Sequence, residues 1–271
     1  MNSVSDSMIK DRSLKPVDSK SRYGRITGLV DIEALAVKRL TIIGLGSMGE
    51  PLASQMVRHG VATKSPGRLR LIDGDDVSPR NLIGTEYRLE HLGVSKTQAA
   101  ANIIREINEE ANVSYWNRMV NQDDVPAIID IARQSDLLAL CADSFELMLE
   151  ISSRCTDICP QVMAVFGADV EHAEVAFSVP EVTQPISKTM GNRKRQAIAQ
   201  PRGLGCDTAY VSSFVAAVCL RLLLGGATGE QLVMCYANAP LFVLGLRRSW
   251  IFASQPEDIA RSVVRVHVET P

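Results

Sequence analysis

The stretch 41–60, TIIGLGSMGEPLASQMVRHG, decides the fold of this chain. A β-branched run leads into a glycine-rich turn and then into apolar residues at helical spacing, which predicts a strand, a turn and a helix. Gly44, Gly46 and Gly49 have the spacing of a turn whose main-chain N–H groups bind phosphate at a helix N-terminus. The stretch therefore predicts a nucleotide site. The glycines alone leave open whether the nucleotide belongs to a dehydrogenase or to an ATP-using enzyme.

Strands and helices alternate on both sides of this stretch. The predicted strands cover residues 39–44, 67–73, 112–120, 136–143 and 161–170. The predicted helices cover residues 31–39, 47–60, 95–110, 125–135 and 144–155. Such alternation is typical of a parallel sheet with helices on both faces.

The pattern changes after residue 170. Residues 172–180 alternate like an antiparallel strand, and the basic, glycine- and proline-punctuated stretch 184–205 predicts a long loop. A long apolar helix is predicted over 206–226, and one or two further strands over 231–246. We therefore expect an α/β fold with a Rossmann-like, mostly parallel sheet, helices on both faces and a C-terminal antiparallel extension.

The composition is that of an ordinary globular protein. Of 271 residues, 46% are hydrophobic and 5% aromatic, and the net charge is −2. This balance gives no general attraction to nucleic acid or anionic membrane, and no segment predicts a signal peptide or a membrane span. We expect a cytoplasmic protein with a disordered tail over residues 1–20 and a single domain over 21–271. The six cysteines include no C-x-x-C pair, so no structural zinc is expected.

Acidic and amide residues follow the second predicted strand, in LRLIDGDDVSPRNL. Asp73 ends that strand, where a dinucleotide enzyme places an acid on the adenine ribose. Lys96 stands near a predicted helix start, where the helix dipole disfavours a cation, and this favours a phosphate ligand there. Asp73 could instead merely end a strand in a turn, and Asn81 could be a helix cap.

Four motifs, in order over residues 22–170, resemble the ThiF/MoeB/HesA adenylyltransferases, the relatives of ubiquitin-activating enzymes. They are RYGRI, the glycine turn, the D-x-D-x-V-x-x-x-N-L pattern followed by a lysine, and LLALCADSFELMLEISSRC, a strand ending in an aspartate. The resemblance implies ATP-dependent adenylation of a carboxylate through an acyl-adenylate, with release of pyrophosphate. The usual carboxylate is the C-terminus of a small ubiquitin-like or sulfur-carrier protein.

The resemblance also implies roles for individual residues. It puts Asp73 on the ribose hydroxyls, within a nucleotide-binding D-x-D pair completed by Asp75. It puts Asn81 and Lys96 on the phosphates of ATP and Asp143 on Mg²⁺. Cationic groups and Mg²⁺ suit this chemistry because charge develops on the phosphates.

Two further residues carry expectations from the resemblance. Arg25 matches an arginine that reaches the ATP of the neighbouring subunit, which implies a homodimer. Cys206, which follows the predicted loop at a helix start, is the candidate for a covalent acyl or persulfide intermediate. The alternatives are a solvated arginine in a charged segment and a small buried residue that begins a helix.

One position departs from the family pattern. Gly84 stands where the family has an arginine, in N-L-x-R-Q. Either Arg80 or Arg88 substitutes for that cation, or the chain has lost adenylation and serves as a scaffold. A further alternative is an NAD(P)-dependent dehydrogenase of the 3-hydroxyacid type, because GLGSMGEP is close to the opening of those enzymes; it leaves Asn81 and Lys96 unexplained.

Overall fold

The computed structural model describes residues 22–166, 172–191, 205–224, 241–245 and 251–254. The side chains of residue 172 and of residues 205–207, and those of the last two segments, are outside that description. The predicted tail over residues 1–20 lies outside the described residues. Within them, none of the helices is long and apolar enough to cross a bilayer.

Helices and strands alternate through the first part of the chain, as the sequence predicts. The strands are β1 (Arg39–Ile43), β2 (Arg68–Asp73), β3 (Val113–Asn117), β4 (Leu137–Leu140), β5 (Gln161–Phe166), β6 (His172–Ser178), β7 (Leu241–Gly245) and β8 (Ile251–Ser254). The α-helices are α1 (Ile32–Ala36), α2 (Gly49–Arg58), α3 (Lys96–Ile107), α4 (Val125–Ala132), α5 (Phe145–Arg154), α6 (Ile186–Met190) and α7 (Gly205–Leu224). Short 3₁₀ turns cover Pro79–Ile83, Leu89–His91 and Gln122–Asp124.

The described strands form one sheet in the order β3-β2-β1-β4-β5-β6-β7-β8. The first five strands run parallel, and β6, β7 and β8 each pair antiparallel with the strand before. From β1 the chain adds β2 and β3 on one side of the sheet and then returns to add β4 and β5 on the other side. The order of the strands therefore reverses between β1 and β4. Ligands of open α/β sheets bind at the carboxyl ends of the strands at such a point.

The two faces of the sheet pack into separate apolar cores. Leu40, Ile42 and Leu71 face a core built with α2, α3 and α7. Ile43 and Leu140 face the other core, built with α4, α5 and α6. Residues of β1 thus enter both cores, which explains why Leu40–Ile43 are all buried and show no alternation between buried and exposed positions.

The predicted fold class is confirmed: a mostly parallel sheet, helices on both faces and an antiparallel extension. The prediction of a long loop over residues 184–205 is wrong at Ile186–Met190, which forms a helix with Ile186 and Met190 buried against the core. Residues 192–204 of that stretch lie outside the described part. The sequence also does not predict β8. Of the stretch 231–246, residues 241–245 form β7, and residues 231–240 lie outside the described part.

Candidate active site

The glycine turn joins β1 to α2 at the carboxyl edge of the sheet. Gly44 has φ +90°, and a Cβ atom there would lie 2.5 Å from the main-chain nitrogen of Ala142. A Cβ atom on Gly49 would collide with the carbonyl oxygen of Gly44. These two glycines therefore let α2 begin directly against the turn and let the turn lie against the end of β4.

The phosphate-binding capacity of the turn lies in its second half. The N–H of Leu45 donates to Asp73 Oδ2 at 2.6 Å and is not available to a ligand. The N–H groups of Gly46, Ser47 and Met48 make no hydrogen bond within the described part of the molecule. A Cβ atom on Gly46 would meet nothing within 4 Å, so the backbone there faces open space. N–H groups without a protein partner at a helix N-terminus are the arrangement that binds phosphate.

Asp73, Asp75 and Lys96 form a charged cluster beside this turn. Lys96 Nζ lies 2.7 Å from Asp75 Oδ2 and 3.8 Å from Asp73 Oδ1. The side chains of Lys96 and Asp73 are 8% and 9% exposed, against 45% for Asp75. Burial raises the pKa of Asp73, while Lys96 and the N–H groups of Leu45 and Asp75 lower it. The structure brings these three predicted residues together as one unit.

Two further predicted residues lie at the same edge of the sheet. Asn81 accepts from the N–H and the hydroxyl of Ser78, each at 2.9 Å, so its side-chain oxygen caps the 3₁₀ turn 79–83. Both the capping alternative and a ligand role for its amide nitrogen fit this geometry. Asp143 is exposed and follows Ala142, whose backbone contacts Gly44.

Arg25 is not brought together with these residues. Its neighbour Arg22 donates to the Ile107 carbonyl at 2.6 Å, and the Tyr23 hydroxyl accepts from Asn108 at 3.0 Å. Both partners belong to the end of α3, whose twelve residues span about 18 Å from the end that carries Lys96. Arg25 is exposed at this far end, so it cannot serve the nucleotide site of its own chain without a large movement.

The space around Gly84, the position where the family has an arginine, is closed by neighbouring side chains. A Cβ atom on Gly84 would lie 2.7 Å from Thr208 Oγ1 and 3.0 Å from Ser47 Cβ. Arg88 is paired with Glu106 at 3.3 Å and with Glu90 at 3.6 Å, and Glu106 belongs to the last turn of α3. This pairing turns Arg88 away from the glycine turn. Of the two substitutes that the sequence suggests, Arg80 is therefore the better placed.

Two buried residues of the site are not predicted from the sequence. Glu50, in the first turn of α2, is fully buried and accepts from the Glu86 N–H at 2.7 Å and the Ser54 hydroxyl at 2.9 Å. The Tyr87 hydroxyl lies 3.1 Å from the Leu45 carbonyl and 3.2 Å from the Lys96 carbonyl. The one sequence feature that points to Glu50 is its position as the acidic residue of GEP, immediately after the glycine turn.

Glu50 predicts a measurable pH dependence of stability. Burial raises its pKa from 4.5 to about 7, and the Glu86 N–H, Ser54 and Arg58 only partly offset this. The unfolded chain releases this proton near its ordinary pKa, so the folded state binds more protons between pH 4.5 and 7. Stability from this group is therefore lost as the pH rises, by about 3 kcal/mol across that window.

The test is urea unfolding of the wild type and of Glu50→Gln between pH 4.5 and 8. Glu50→Gln keeps a side-chain acceptor but does not ionise. It is expected to gain about 3 kcal/mol relative to the wild type as the pH rises from 4.5 to 8. A difference between the two proteins that stays constant with pH would contradict the assignment.

The cysteines whose side chains the structure describes are all buried, which disfavours their thiolate forms. Burial raises the pKa of Cys141 and Cys159 to about 12 and that of Cys155 to about 11. Cys155 and Cys159 are both buried, in agreement with core packing. The backbone of Cys206 belongs to the first turn of α7, and its side chain lies outside the described part, so its proposed role stays a prediction.

Comparison with known proteins gives one consistent family. The model of the ThiF family matches residues 20–239. The chain is 30% identical over 158 residues to the adenylyltransferase and sulfurtransferase MOCS3-1 of Zea mays. It is 26% identical over 162 residues to the ubiquitin-like modifier-activating enzyme 5 of Drosophila willistoni. These alignments cover 56% and 54% of this chain but 32% and 39% of the relatives, so the chain spans well under half of their length.

Solved structures share the fold. The chain superposes on E. coli MccB, determined with MccA-N7isoASN, with a TM-score of 0.70 at 17% identity, over 86% of this chain and 72% of MccB. It superposes on PaaA with a TM-score of 0.66 at 21% identity, over 92% of this chain and 78% of PaaA.

Proposed function

Because the chain belongs to the ThiF family, we propose that it is an ATP-dependent adenylyltransferase that activates a carboxylate. A carboxylate oxygen of the substrate attacks the α-phosphorus of ATP. The bond from that phosphorus to the bridging oxygen breaks, and pyrophosphate leaves with its electron pair. The product is an acyl-adenylate. We take the substrate to be the C-terminus of a small ubiquitin-like or sulfur-carrier protein, because the relatives include an activating enzyme and a sulfurtransferase.

The observation that carries the proposal is the buried Lys96 beside the glycine turn. A lysine is rarely buried unless it is paired, and Lys96 is held by Asp73 and Asp75 at the carboxyl edge of the sheet. Its ammonium lies 3.8 Å from Asp73 Oδ1, and the other oxygen of Asp73 accepts the N–H of Leu45 in the turn that leads into α2. The N-terminus of a helix favours phosphate oxygens. Positioned positive charge of this kind stabilises the charge that develops on the phosphates.

Different residues of the site would bind different parts of the nucleotide. The N–H groups of 46–48 and Lys96 would hold phosphate oxygens, assisted by the amide of Asn81. Asp73 keeps unused lone pairs, because each of its oxygens accepts one main-chain N–H, and these can accept the ribose hydroxyls.

Magnesium fits the same edge of the sheet. Among the described residues there is no group of three or more side chains suited to hold a metal ion. An ion carried by nucleotide phosphates needs only one or two carboxylates, and Asp143 is exposed beside the turn. When bound, Mg²⁺ would neutralise charge on the triphosphate.

Arg25 belongs to the proposal as a residue that acts in a homodimer. It lies at the far end of α3 from Lys96, and this position supports a role toward the nucleotide of another subunit rather than its own. The arrangement would resemble an arginine supplied in trans to a phosphoryl-transfer site.

Arg80 and Arg88 give a matched pair of variants. Arg80 is exposed in the 3₁₀ turn that carries Asn81 and makes no ion pair with any described residue, whereas Arg88 pairs with two glutamates of its own chain. Arg80→Ala is expected to weaken ATP–Mg²⁺ binding by about tenfold, the value of one charge-assisted hydrogen bond. Arg88→Ala is expected to leave binding unchanged. Calorimetric titration checks both, and equal affinities for the wild type and Arg80→Ala would contradict the assignment.

The reaction itself is tested by ATP–pyrophosphate exchange. Exchange should require a ubiquitin-like or sulfur-carrier protein with a free C-terminal carboxylate, and should stop when that carboxylate is blocked as an amide. The second candidate function is a non-catalytic partner, favoured by the steric closure around Gly84. It predicts nucleotide binding without exchange for every carrier.

A further inference from the structure

Residues 84–87, GTEY, form a strap beside the glycine turn that touches four parts of the fold. At Gly84 the backbone passes so close to Ser47 and Thr208 that a Cβ atom would lie 3.0 Å and 2.7 Å from their side chains. Glu86 is tied to α2 through the carboxylate of Glu50, and Tyr87 reaches both the glycine turn and the start of α3. The strap therefore contacts the elements that carry the predicted phosphate ligands.

The tie between Glu50 and the strap is costly to maintain. Glu50 is fully buried, and a buried carboxylate is penalised unless hydrogen bonds compensate it. One of its oxygens accepts from Ser54, which lies in the same helix, and the other accepts from the Glu86 N–H. The bond to Glu86 is thus the only one of the two that joins separate elements, and it joins residues 36 apart in sequence.

Tyr87 continues the connection into the site. Its ring is 3% exposed, and its hydroxyl lies within hydrogen-bond distance of the carbonyls of Leu45 and Lys96. Leu45 is the residue whose N–H binds Asp73, and Lys96 carries the site ammonium. One buried hydroxyl therefore contacts both the residue after Gly44 in the turn and the first residue of α3.

We propose that Glu50 and Tyr87 are positioning residues: they hold the strap so that the glycine turn and Lys96 engage one nucleotide together. This inference rests on the proposed function, and it assigns to the strap a role in alignment rather than in supplying a cation. The strap has no arginine at residue 84, and the space around that residue is closed by Ser47 and Thr208.

Three variants separate positioning from general stability. Glu50→Met removes the acceptor at similar size, whereas Glu50→Gln retains an acceptor for the Glu86 N–H. Asp136→Ala is the matched control, because Asp136 also accepts a main-chain N–H, from Arg39 at 2.7 Å, but does so at the opposite edge of the sheet. Amide hydrogen exchange of residues 84–87 and 44–49 and the Kd for ATP–Mg²⁺ are measured for each protein.

Glu50→Met is expected to speed exchange across residues 84–87 and to weaken ATP–Mg²⁺ binding by about tenfold or more, as misplaced ligands do. Glu50→Gln should restore both properties, and Asp136→Ala should change neither. Unchanged exchange of the strap in Glu50→Met would overturn the inference, as would faster exchange with wild-type affinity. Failure of the wild-type protein to bind ATP–Mg²⁺ would overturn both the proposed function and the aligning role. The exchange rates would then still show whether the hydrogen bond from the Glu86 N–H to Glu50 holds the strap.

Discussion

Lys96→Met is expected to lower the affinity for ATP–Mg²⁺ by about 10- to 100-fold. Methionine keeps most of the side-chain length but removes the ammonium, and a hydrogen bond to a charged group is worth about 1.5–3 kcal/mol. Calorimetric titration measures the loss. Lys64→Met is the control, since Lys64 is an exposed lysine paired with Glu33 at 2.5 Å on the surface.

The same variant is expected to change the pH dependence of stability. The charge of Lys96 lowers the pKa of Asp73, and burial raises it. Without the lysine the folded-state pKa of Asp73 rises further, so stability is lost as the pH increases through that pKa. Lys96→Met should therefore be closer to wild-type stability at pH 5 than at pH 8, where the loss reaches up to about 3 kcal/mol. Wild-type affinity, or a loss of stability independent of pH, would contradict the role given to this cluster.

Gly44→Ala is expected to destabilise the protein by about 4 kcal/mol. An L-residue with φ +90° costs about 1–2 kcal/mol, and the Cβ atom would lie 2.5 Å and 2.6 Å from main-chain atoms of Ala142. A collision with backbone cannot be relieved by a side-chain rotation, and overpacking of this kind costs about 1–3 kcal/mol more.

Gly28→Ala separates the two contributions. Gly28 has φ +83°, and a Cβ atom there would meet nothing within 4 Å. Its replacement should therefore cost only the backbone term, about 1–2 kcal/mol. Urea unfolding of both variants gives the comparison. Equal losses would show that the close approach of Gly44 to the backbone of Ala142 contributes nothing.

The central sheet was predictable because burial sets the period of its sequence. β1 is buried on both faces and reads as a short run of β-branched and apolar residues, and α2 and α3 show apolar residues at helical spacing. The helix Ile186–Met190 has only five residues, too few to show a period, and proline and glycine flank it. Its burial comes from packing against the core, which local sequence does not report.

Some residues of the candidate site could likewise be predicted from the sequence, and others could not. Asp73, Asn81 and Lys96 could be predicted because they follow one strand at spacings that resemble a known family. Glu50 could not, because an acidic residue in the first turn of a helix ordinarily faces solvent and favours the helix dipole. Its burial results from the strap folding over α2, a contact that exists only in the tertiary structure.

Arg88 shows that a candidate named from the sequence can be directed elsewhere in the structure. The sequence offers it and Arg80 equally as substitutes for the cation missing at Gly84. Only the structure shows that Arg88 pairs with Glu90 and with Glu106. Distance along the chain does not decide which side chain reaches a site, because ion pairs with neighbouring elements fix its direction.

Nucleotide-dependent stabilisation tests the central claim most directly. Thermal unfolding is measured with ATP–Mg²⁺, with NADH and with NADPH, for the wild type and Asp143→Ala. A ligand that binds only the folded state adds about 2.7 kcal/mol at 100 times its Kd. We expect ATP–Mg²⁺ to stabilise the wild type, less so in Asp143→Ala, and neither dinucleotide to do so. Stabilisation by NADH or NADPH without any response to ATP–Mg²⁺ would contradict the adenylyltransferase assignment and restore the dehydrogenase.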